Sequence, residues 1–162
     1  MNIEQWNIDR VKPYDKNPRR NDKAVDAVAK SISEYGWRQP IVVDKDGVIV
    51  VGHTRHKAAV KLGLKTVPVH VAADLTPQQA RAYRIADNRT NEAAEWDVDL
   101  LPIELGELRD GGQDLKLLGF TDKELAEYLK EFDTNLEGGE GDAEETAETI
   151  RCPKCGHEFP LE

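Results

Sequence analysis

The sequence is poor in the features that mark secreted, disulfide-stabilised and membrane-spanning proteins. Its two cysteines, Cys152 and Cys155, lie together near the C-terminal end, too close in sequence to staple a fold, which favours a reducing compartment. No apolar run approaches the roughly 18 residues that a membrane-spanning helix requires. The segment MNIEQWNIDR lacks the basic-then-apolar order of a secretory signal. We therefore expect a cytoplasmic protein without a membrane segment.

Charge is divided unevenly along the 162 residues, a length that suits one compact domain with an appendage. Residues 1–90 contain 16 Lys and Arg against 10 Asp and Glu, a net charge of +6. Residues 91–162 contain 6 Lys and Arg against 21 Asp and Glu, a net charge of −15. The basic half suits an anionic ligand, whereas the acidic half would repel nucleic acid or simply form a solvated surface.

Hydrophobic periodicity and turn residues predict alternating helices and short strands over residues 3–132. Alternation predicts strands, and apolar spacing of three and four residues predicts helices. The predicted strands are 3–8, two runs forming a hairpin around 45–47, and 66–71; the predicted helices are 23–35, 54–63, 76–86, 98–109 and 121–132.

The C-terminal segment changes character at residue 133. Residues 133–149 are rich in acids and glycine and poor in apolar side chains, which predicts a disordered acidic linker. Residues 150–162 contain CPKCGH, half of a zinc-ribbon knuckle, with Cys152, Cys155 and His157 as candidate Zn²⁺ ligands. A structural zinc site requires four ligands, so a second copy in a homodimer or a partner protein would complete it. The alternative is a metal-free tail.

The stretch IVVGHTRHKAA, residues 49–59, combines a β-branched run, a glycine and the start of a helix. The free N–H groups of a helix start attract anions, and Gly52 allows a ligand to approach the backbone closely. Arg55 follows at the helix start and would add a charged contact to a phosphate. The alternative is an ordinary strand–helix turn with exposed polar residues.

Four polar motifs in order identify a resemblance to a known family. NPRR at 17–20, SISEYGWRQPIVV at 31–43, GHTRHKAA at 52–59 and DNRTN at 87–91 resemble the boxes of ParB-like N-terminal domains in the ParB/sulfiredoxin superfamily. The ADNR variant is similar to phage-type and DNA-methyltransferase-associated members. The resemblance implies an α+β fold, a small mixed sheet surrounded by helices, over residues 1–95, followed by a helical extension at 96–132.

The resemblance also implies a site for Mg²⁺ with a nucleoside triphosphate, CTP above others. Asp87 and Asn88 would supply the oxygen ligands that magnesium prefers, while Gln39 and Pro40 would shape the side nearest the base. The implied nucleotide- and phosphate-binding residues are Gly52, His53, Thr54, Arg55, His56, Arg19, Arg20, Gln39, Pro40 and Asn88. Each also has a simpler interpretation: the loop arginines as solvated charges, His53 as a structural hydrogen-bonding group, and Asp87–Asn88 as a helix end.

Two departures from the family pattern limit the function. Sulfiredoxin has its reactive cysteine in the glycine box, where this sequence has His53, so thiol repair lacks a nucleophile. The partitioning proteins continue with a DNA-reading helix-turn-helix, whereas we expect an acidic helical extension here without a basic recognition face.

Three functions remain open at this point. The first is a nucleotide-binding accessory or switch protein in phage or mobile-element DNA processing, with DNA reached through a partner such as a DNA methyltransferase. The second is a phosphate-ester enzyme, a nuclease, nucleoside triphosphatase or small-molecule kinase, with Asp87 or Glu34 as the candidate catalytic base. The third is a non-catalytic interaction protein.

Overall fold

The computed structural model describes residues 1–138, 149–151 and 158–160. Strands and helices alternate through the first part of the chain, and two helices follow. The strands are β1 (Glu4–Asn7), β2 (Ile41–Val43), β3 (Ile49–Val51), β4 (Thr66–Val71), β5 (Thr149–Arg151) and β6 (Glu158–Pro160). The helices are α1 (Val25–Tyr35), α2 (His53–Lys61), α3 (Pro77–Asn91), α4 (Leu100–Asp110) and α5 (Asp122–Gly138), with 3-10 turns at Ile8–Arg10, Asp22–Ala24 and Leu115–Leu117.

Four strands form a mixed sheet in the order β1-β4-β2-β3. β4 is antiparallel to β1 and parallel to β2, and β2 is antiparallel to β3. β-Branched residues on one face of this sheet pack under α2 and form the core, which comprises Trp6, Val11, Ile41, Val43, Ile49, Ala59, Val67 and Val69. The predicted α+β class with a small mixed sheet and surrounding helices is confirmed.

The hairpin between β2 and β3 positions β3, the strand that ends directly before Gly52. The Asp44 side chain accepts hydrogen bonds from the backbone N–H groups of Asp46 and Val48, at 3.0 and 2.9 Å. Gly47 takes a left-handed φ of 79°, which a side chain would disfavour. A short turn with these local contacts sets the register of β3 and hence the position at which it ends.

Helix α3 extends further than the sequence pattern predicts. Thr76 and Gln79 form the predicted capping box, and Pro77 occupies the first turn. The helix then continues to Asn91, five residues beyond the predicted end at residue 86. Its last turns are polar, and without periodic apolar residues the sequence pattern did not predict them. The DNRTN motif at 87–91 therefore lies on a helix and not in a loop after it.

Helices α4 and α5 pack against each other around a second small core of Leu105, Leu115 and Leu125. Gly106 allows the ring of Phe132 to lie directly on α4, since a Cβ there would come within 2.4 Å of the ring. Arg109 makes a two-pronged ion pair with Asp133, with distances of 2.9 and 3.2 Å. These contacts stabilise the end of α5, which continues to Gly138. The predicted start of the linker at residue 133 therefore lies within the helix.

β5 and β6 pair antiparallel, with Arg151 opposite Glu158. Cys152, Cys155 and His157, the predicted zinc ligands, lie outside the described residues. Across the portion of the chain that the structure describes, no helix is both long and apolar enough to cross a membrane.

Candidate functional site

The site is built on the junction between β3 and α2. Gly52 ends the strand with a left-handed φ of 106° and precedes the first residue of α2. A Cβ at this position would lie 3.4 Å from the Cα of Ile41 and 3.3 Å from Nη1 of Arg55. The backbone angle is therefore what favours glycine here, since a Cβ would meet β2 only at ordinary van der Waals distance. The predicted strand–glycine–helix arrangement is present.

Arg55 is held in place from the first turn of α2. Its Nη1 donates to the carbonyl oxygen of Pro40 at 2.9 Å, and its Nη2 donates to Oε1 of Gln39. Burial lowers the pKa of Arg55, and the negative charge of Asp87 partly offsets that effect. A guanidinium stays protonated under such a shift. Arg55 is therefore a positioned, partly desolvated cation at the junction.

The last turns of α3 bring Asp87, Asn88 and Asn91 to the same place. The Asn88 side chain donates its Nδ2 hydrogen to the carbonyl oxygen of Arg84 at 2.7 Å, which directs Oδ1 away from the helix. Oδ1 accepts a hydrogen bond from Nη1 of Arg19 at 2.9 Å, and Arg19 also pairs with Glu92 at 3.2 Å. The N-terminal loop is thereby fastened to α3.

Two adjoining cavities meet at Arg55. The first, which we call the junction cleft, has a volume of about 220 Å³ and is lined mainly by polar groups: Asn17, Arg19, Asn21, Val28, Val50, Val51, Gly52, His53, Thr54, Arg55, Asp87, Asn88 and Asn91. The second, which we call the α1 groove, has a volume of about 480 Å³ and is lined by Val28, Ser31, Ile32, Tyr35, Gly36, Trp37, Arg38, Gln39 and Arg55. A polar cleft beside a more apolar groove matches a ligand with a charged end and a flat apolar end.

His53 acts as a neutral hydrogen-bond acceptor. Its Nε2 accepts from the backbone N–H of Tyr14 at 3.3 Å, which ties the N-terminal loop to α2. Burial, followed by the positive charges of Arg84, His56 and Lys57, lowers the pKa of His53 to about 4. The imidazole is therefore uncharged near neutral pH, and its hydrogen bond to the loop agrees with the simpler of its two interpretations.

Arg84 is a buried cation that the sequence analysis missed. It is only 6% exposed, its Nε donates to the carbonyl oxygen of Ile49 at 2.8 Å, and its Nη2 reaches Asp44 at 3.3 Å. Its guanidinium also lies 4.0 Å from the centre of the Tyr14 ring. Arg84 follows buried Ala80 by one helical turn, and that spacing was the available signal that it faces the core.

The structure gathers most, but not all, of the predicted site residues. Arg19, Gly52, His53, Thr54, Arg55, Asp87 and Asn88 line the junction cleft, and Gln39 and Pro40 reach it through their hydrogen bonds to Arg55. Asn17, Asn21 and Asn91 line it without having been predicted. The remaining predicted residues, His56, Arg20 and Glu34, lie elsewhere.

Each of these three residues has a different neighbourhood. The pKa of His56 is lowered by burial, an effect partly offset by backbone hydrogen bonds at Ile8 and Val11, so its ring faces the N-terminal turn. Arg20 lines a neighbouring cavity. Glu34 lies on α1 beside Lys61 and Leu62, in a groove away from the junction cleft, so it cannot serve as a base there.

The donor set of the cleft fits magnesium shared with a ligand. Asp87 supplies a carboxylate, and Asn88 has its amide oxygen directed into the cleft. Among the described residues no three His, Cys, Asp or Glu side chains form a metal-binding group. Mg²⁺ commonly takes one or two protein oxygens and completes its shell with waters and phosphates. These residues could therefore hold the ion only together with a phosphate ligand.

The fold and the cleft define an α+β domain with a polar cleft at a strand–glycine–helix junction. Residues 1–88 match the family described as the ParB N-terminal domain, and the chain belongs to that family. Residues 99–155 match the ParB-methyltransferase HTH domain. The segment predicted as a helical extension contains α4 and α5 and is thus similar to a helix-turn-helix family, although α5 carries six acidic residues against two lysines.

Relatives of known name agree with this assignment. The ParB-like nuclease domain-containing protein YnaK of Escherichia coli is 36% identical over 73 residues, which are 44% of this chain and 84% of that protein. The chromosome-partitioning protein Spo0J of Thermus thermophilus is 34% identical over 121 residues, or 72% of this chain. The chain spans only 41% of the length of that partitioning protein.

A solved structure shares the fold. The C-terminally truncated chromosome-partitioning protein ParB from Caulobacter crescentus, complexed with CTP-gamma-S, aligns with a TM-score of 0.58 and 23% identity. The alignment covers 86% of this chain and 89% of that chain. At this level of identity the likeness shows the fold.

Proposed function

We propose that the chain binds Mg²⁺ with a nucleoside triphosphate, CTP above others, across the junction cleft and the α1 groove. The observation that carries the proposal is Arg55, a partly buried cation fixed at the point where the two cavities meet. The CTP-gamma-S complex of the Caulobacter protein, which has the same fold, supports this choice of ligand.

The phosphates would occupy the junction cleft. Gly52 allows them to approach the backbone at the start of α2, where free N–H groups point outward. Arg55 would donate charged hydrogen bonds to one of them, and the amide of Asn91 offers a further donor. Asp87 and Asn88 would hold the magnesium ion, which neutralises part of the phosphate charge. The Asn88 oxygen accepts one hydrogen bond from Arg19 and has a second lone pair for the ion.

The base would lie in the α1 groove, beside Tyr35 and Trp37. The Trp37 indole N–H donates to the carbonyl oxygen of Gln39 at 2.7 Å, which steadies the segment that Arg55 also contacts. Base and phosphate contacts are therefore mechanically linked through residues 37–40. A nucleotide that fills both cavities would draw α1, α2 and α3 together.

We assign the chain an accessory or switch role in DNA processing, of the kind found in phages or mobile elements. The second part of the chain matches a methyltransferase-associated family, which supports a DNA methyltransferase or another DNA-processing protein as the partner. The acidity of α5 argues for contact with DNA through that partner, because a second helix of this charge would be repelled from the major groove.

Calorimetry with the full chain tests the ligand assignment. We expect CTP to bind in the presence of Mg²⁺ more tightly than ATP, GTP or the diphosphates, and to weaken when magnesium is chelated. Equal and weak binding of all nucleotides, with or without magnesium, would contradict the assignment and favour an interaction protein without a ligand.

Turnover of the bound nucleotide is the second candidate function. Asp87 lies in the junction cleft, within the range at which its charge influences Arg55, and is the acidic side chain placed to accept a proton from an attacking water or hydroxyl. Release of inorganic phosphate from CTP by the wild-type chain would establish a nucleoside triphosphatase, and its loss in Asp87→Asn at saturating Mg²⁺–CTP would assign Asp87 as the base.

The zinc knuckle stays a prediction, since its three ligands lie outside the described residues. Metal analysis of the purified chain distinguishes the arrangements. About half a zinc per chain, in dimers that a chelator separates, indicates a site shared between two copies.

A further inference from the structure

A larger cavity adjoins the junction cleft and shares no lining residue with the α1 groove. This second chamber has a volume of about 640 Å³ and is lined by Arg19, Arg20, Asn21, Asp22, Lys23, Ala24, Thr54, Asn88 and Asn91. Arg19, Asn21, Thr54, Asn88 and Asn91 line the junction cleft as well, so the two cavities share one wall. The second chamber lies beyond the place assigned to the phosphates.

The charges of the second chamber do not balance. Asp22, its carboxylate, is paired with Lys57 at 2.7 Å, and that contact lowers the pKa of Asp22. Arg19 is paired with Glu92 and hydrogen-bonded to Asn88. The side chains of Arg20 and Lys23 form no hydrogen bond or ion pair with any other residue in the described part of the chain. Two uncompensated cations therefore face the second chamber.

We propose that the second chamber binds a phosphate group beyond the three of the nucleoside triphosphate. Arg20 offers a planar pair of donors that suits phosphate oxygens, and Lys23 adds a second positive charge. The amide groups of Asn21 and Asn91 connect this position to the junction cleft. The location relative to a nucleotide rests on the proposed function, whereas phosphate binding by Arg20 and Lys23 does not.

Two sources could supply this phosphate. It is either the end of a longer polyphosphate chain that starts in the junction cleft, or part of a separate small phosphorylated molecule bound beside the nucleotide. The first source requires a continuous path past Arg19, and the second requires only that the chamber be open to solvent.

Binding measurements on three forms of the full chain test the proposal: the wild type, the double variant Arg20→Ala/Lys23→Ala, and the control Lys45→Ala/Lys65→Ala. The control removes two positive charges at exposed positions away from both cavities. If the phosphate is the end of a longer polyphosphate, we expect the wild type and the control to bind cytidine 5′-tetraphosphate about tenfold more tightly than CTP. That factor corresponds to the gain of one charged hydrogen bond. If the source is separate, they bind inorganic phosphate while saturated with CTP.

The double variant should lose the preference for the tetraphosphate, or the binding of inorganic phosphate beside CTP, whichever the wild type shows. Its affinity for CTP should stay within about twofold of the wild-type value. Loss of CTP affinity as severe as that of Arg55→Ala would overturn the proposal, because the two cations would then belong to the triphosphate site. Equal behaviour of the double variant and the control with both phosphate probes would also overturn it. If the wild type binds no nucleotide, the proposed function fails, and inorganic phosphate alone still tests the second chamber.

Discussion

At the scale of single residues, the site depends on side chains that the fold holds before any ligand arrives. Arg55 is oriented by two acceptors from the segment before β2, and Asn88 is oriented by its own helix. A preformed cation loses little side-chain freedom on binding, so more of its interaction energy appears as affinity. Substitutions at these positions should therefore change binding more than they change folding.

Replacing Arg55 by Ala should weaken Mg²⁺–CTP binding by about 1.5–3 kcal/mol, the contribution of a charged hydrogen bond. Calorimetry would register this as a loss of roughly 10- to 100-fold in the dissociation constant. Arg81→Ala removes the same charge from an exposed position of α3 and serves as the control. Equal affinities of Arg55→Ala and Arg81→Ala for Mg²⁺–CTP would contradict the proposal that Arg55 binds a phosphate.

His53 should make stability depend on pH. Its pKa is about 4 in the folded chain and 6.5 as an ordinary histidine, so the unfolded chain takes up the proton first as pH falls. The contribution of the neutral imidazole is complete above pH 6.5 and is lost progressively as pH drops from 6.5 toward 4. Urea unfolding at a series of pH values measures it.

His53→Gln keeps an acceptor for the Tyr14 N–H and cannot be protonated in this range. Its stability should decline less between pH 6.5 and 4.5 than that of the wild type. His56, whose pKa is also lowered, continues to contribute in the variant. A decline as steep as that of the wild type would mean that His53 titrates normally in the folded chain.

At the scale of helices and strands, local patterns were predictable and contacts between distant segments were not. The hairpin at Asp44–Gly47, the capping box at Thr76 and the junction at Gly52 are encoded within a few neighbouring residues. The bond from Arg84 to Ile49 joins residues 35 positions apart, and that from Arg19 to Asn88 joins residues 69 apart. No periodicity in the sequence reports such pairs.

The family motifs predicted the cleft better than any pattern of apolar residues. Gly52, Arg55, Asp87 and Asn88 were placed by resemblance, and the structure brings them to one cavity. The sequence analysis did not predict that Asn17, Asn21 and Asn91 line the cleft, because a neutral amide in a loop or at a helix end has no distinctive sequence signal. Glu34 was selected for its chemistry alone, and the orientation of α1 places it elsewhere.

Gly106→Ala tests the packing of α4 on α5. A Cβ at this position would come within 2.4 Å of the Phe132 ring, so the helices must separate or the ring must move. Overpacking of this kind costs typically 1–3 kcal/mol, against up to about 1 kcal/mol gained from the better helix propensity of alanine. We expect a net loss of about 1–2 kcal/mol in the free energy of unfolding.

Glu107→Ala, at the adjacent exposed position of α4, is the control and should change stability by less than about 0.5 kcal/mol. Shortening the ring partner with Phe132→Leu should make the added methyl group at position 106 less costly than in the wild-type background. An unchanged or increased stability of Gly106→Ala would show that the two helices are not packed this closely.

At the scale of the whole molecule, charge divides the chain into a basic and an acidic half. The basic first half contains the junction cleft and the second chamber, and the acidic second half contains α4 and α5. A helix-turn-helix that reads DNA presents its second helix to a negatively charged groove. Six acidic residues on α5 oppose that use.

The isolated chain should therefore bind DNA weakly. Net positive charge is confined to residues 1–90, so few counterions would be released and the logarithm of the affinity should fall gently with the logarithm of salt concentration. Fluorescence anisotropy with a labelled duplex at several salt concentrations measures this slope. Nanomolar, sequence-selective binding at physiological salt would reveal a reading surface that the charge distribution does not suggest.

The most direct test of nucleotide binding at the junction cleft is to map which residues respond to the nucleotide. Backbone amide resonances of the full chain, followed by NMR during titration with Mg²⁺–CTP, report each residue separately. Binding at the junction predicts large shifts for Gly52–Arg55 and Asp87–Asn91 and small ones for Leu105, Leu115 and Leu125 in the second core. No saturable shifts at Gly52 and Arg55, or shifts concentrated in α4 and α5, would contradict it.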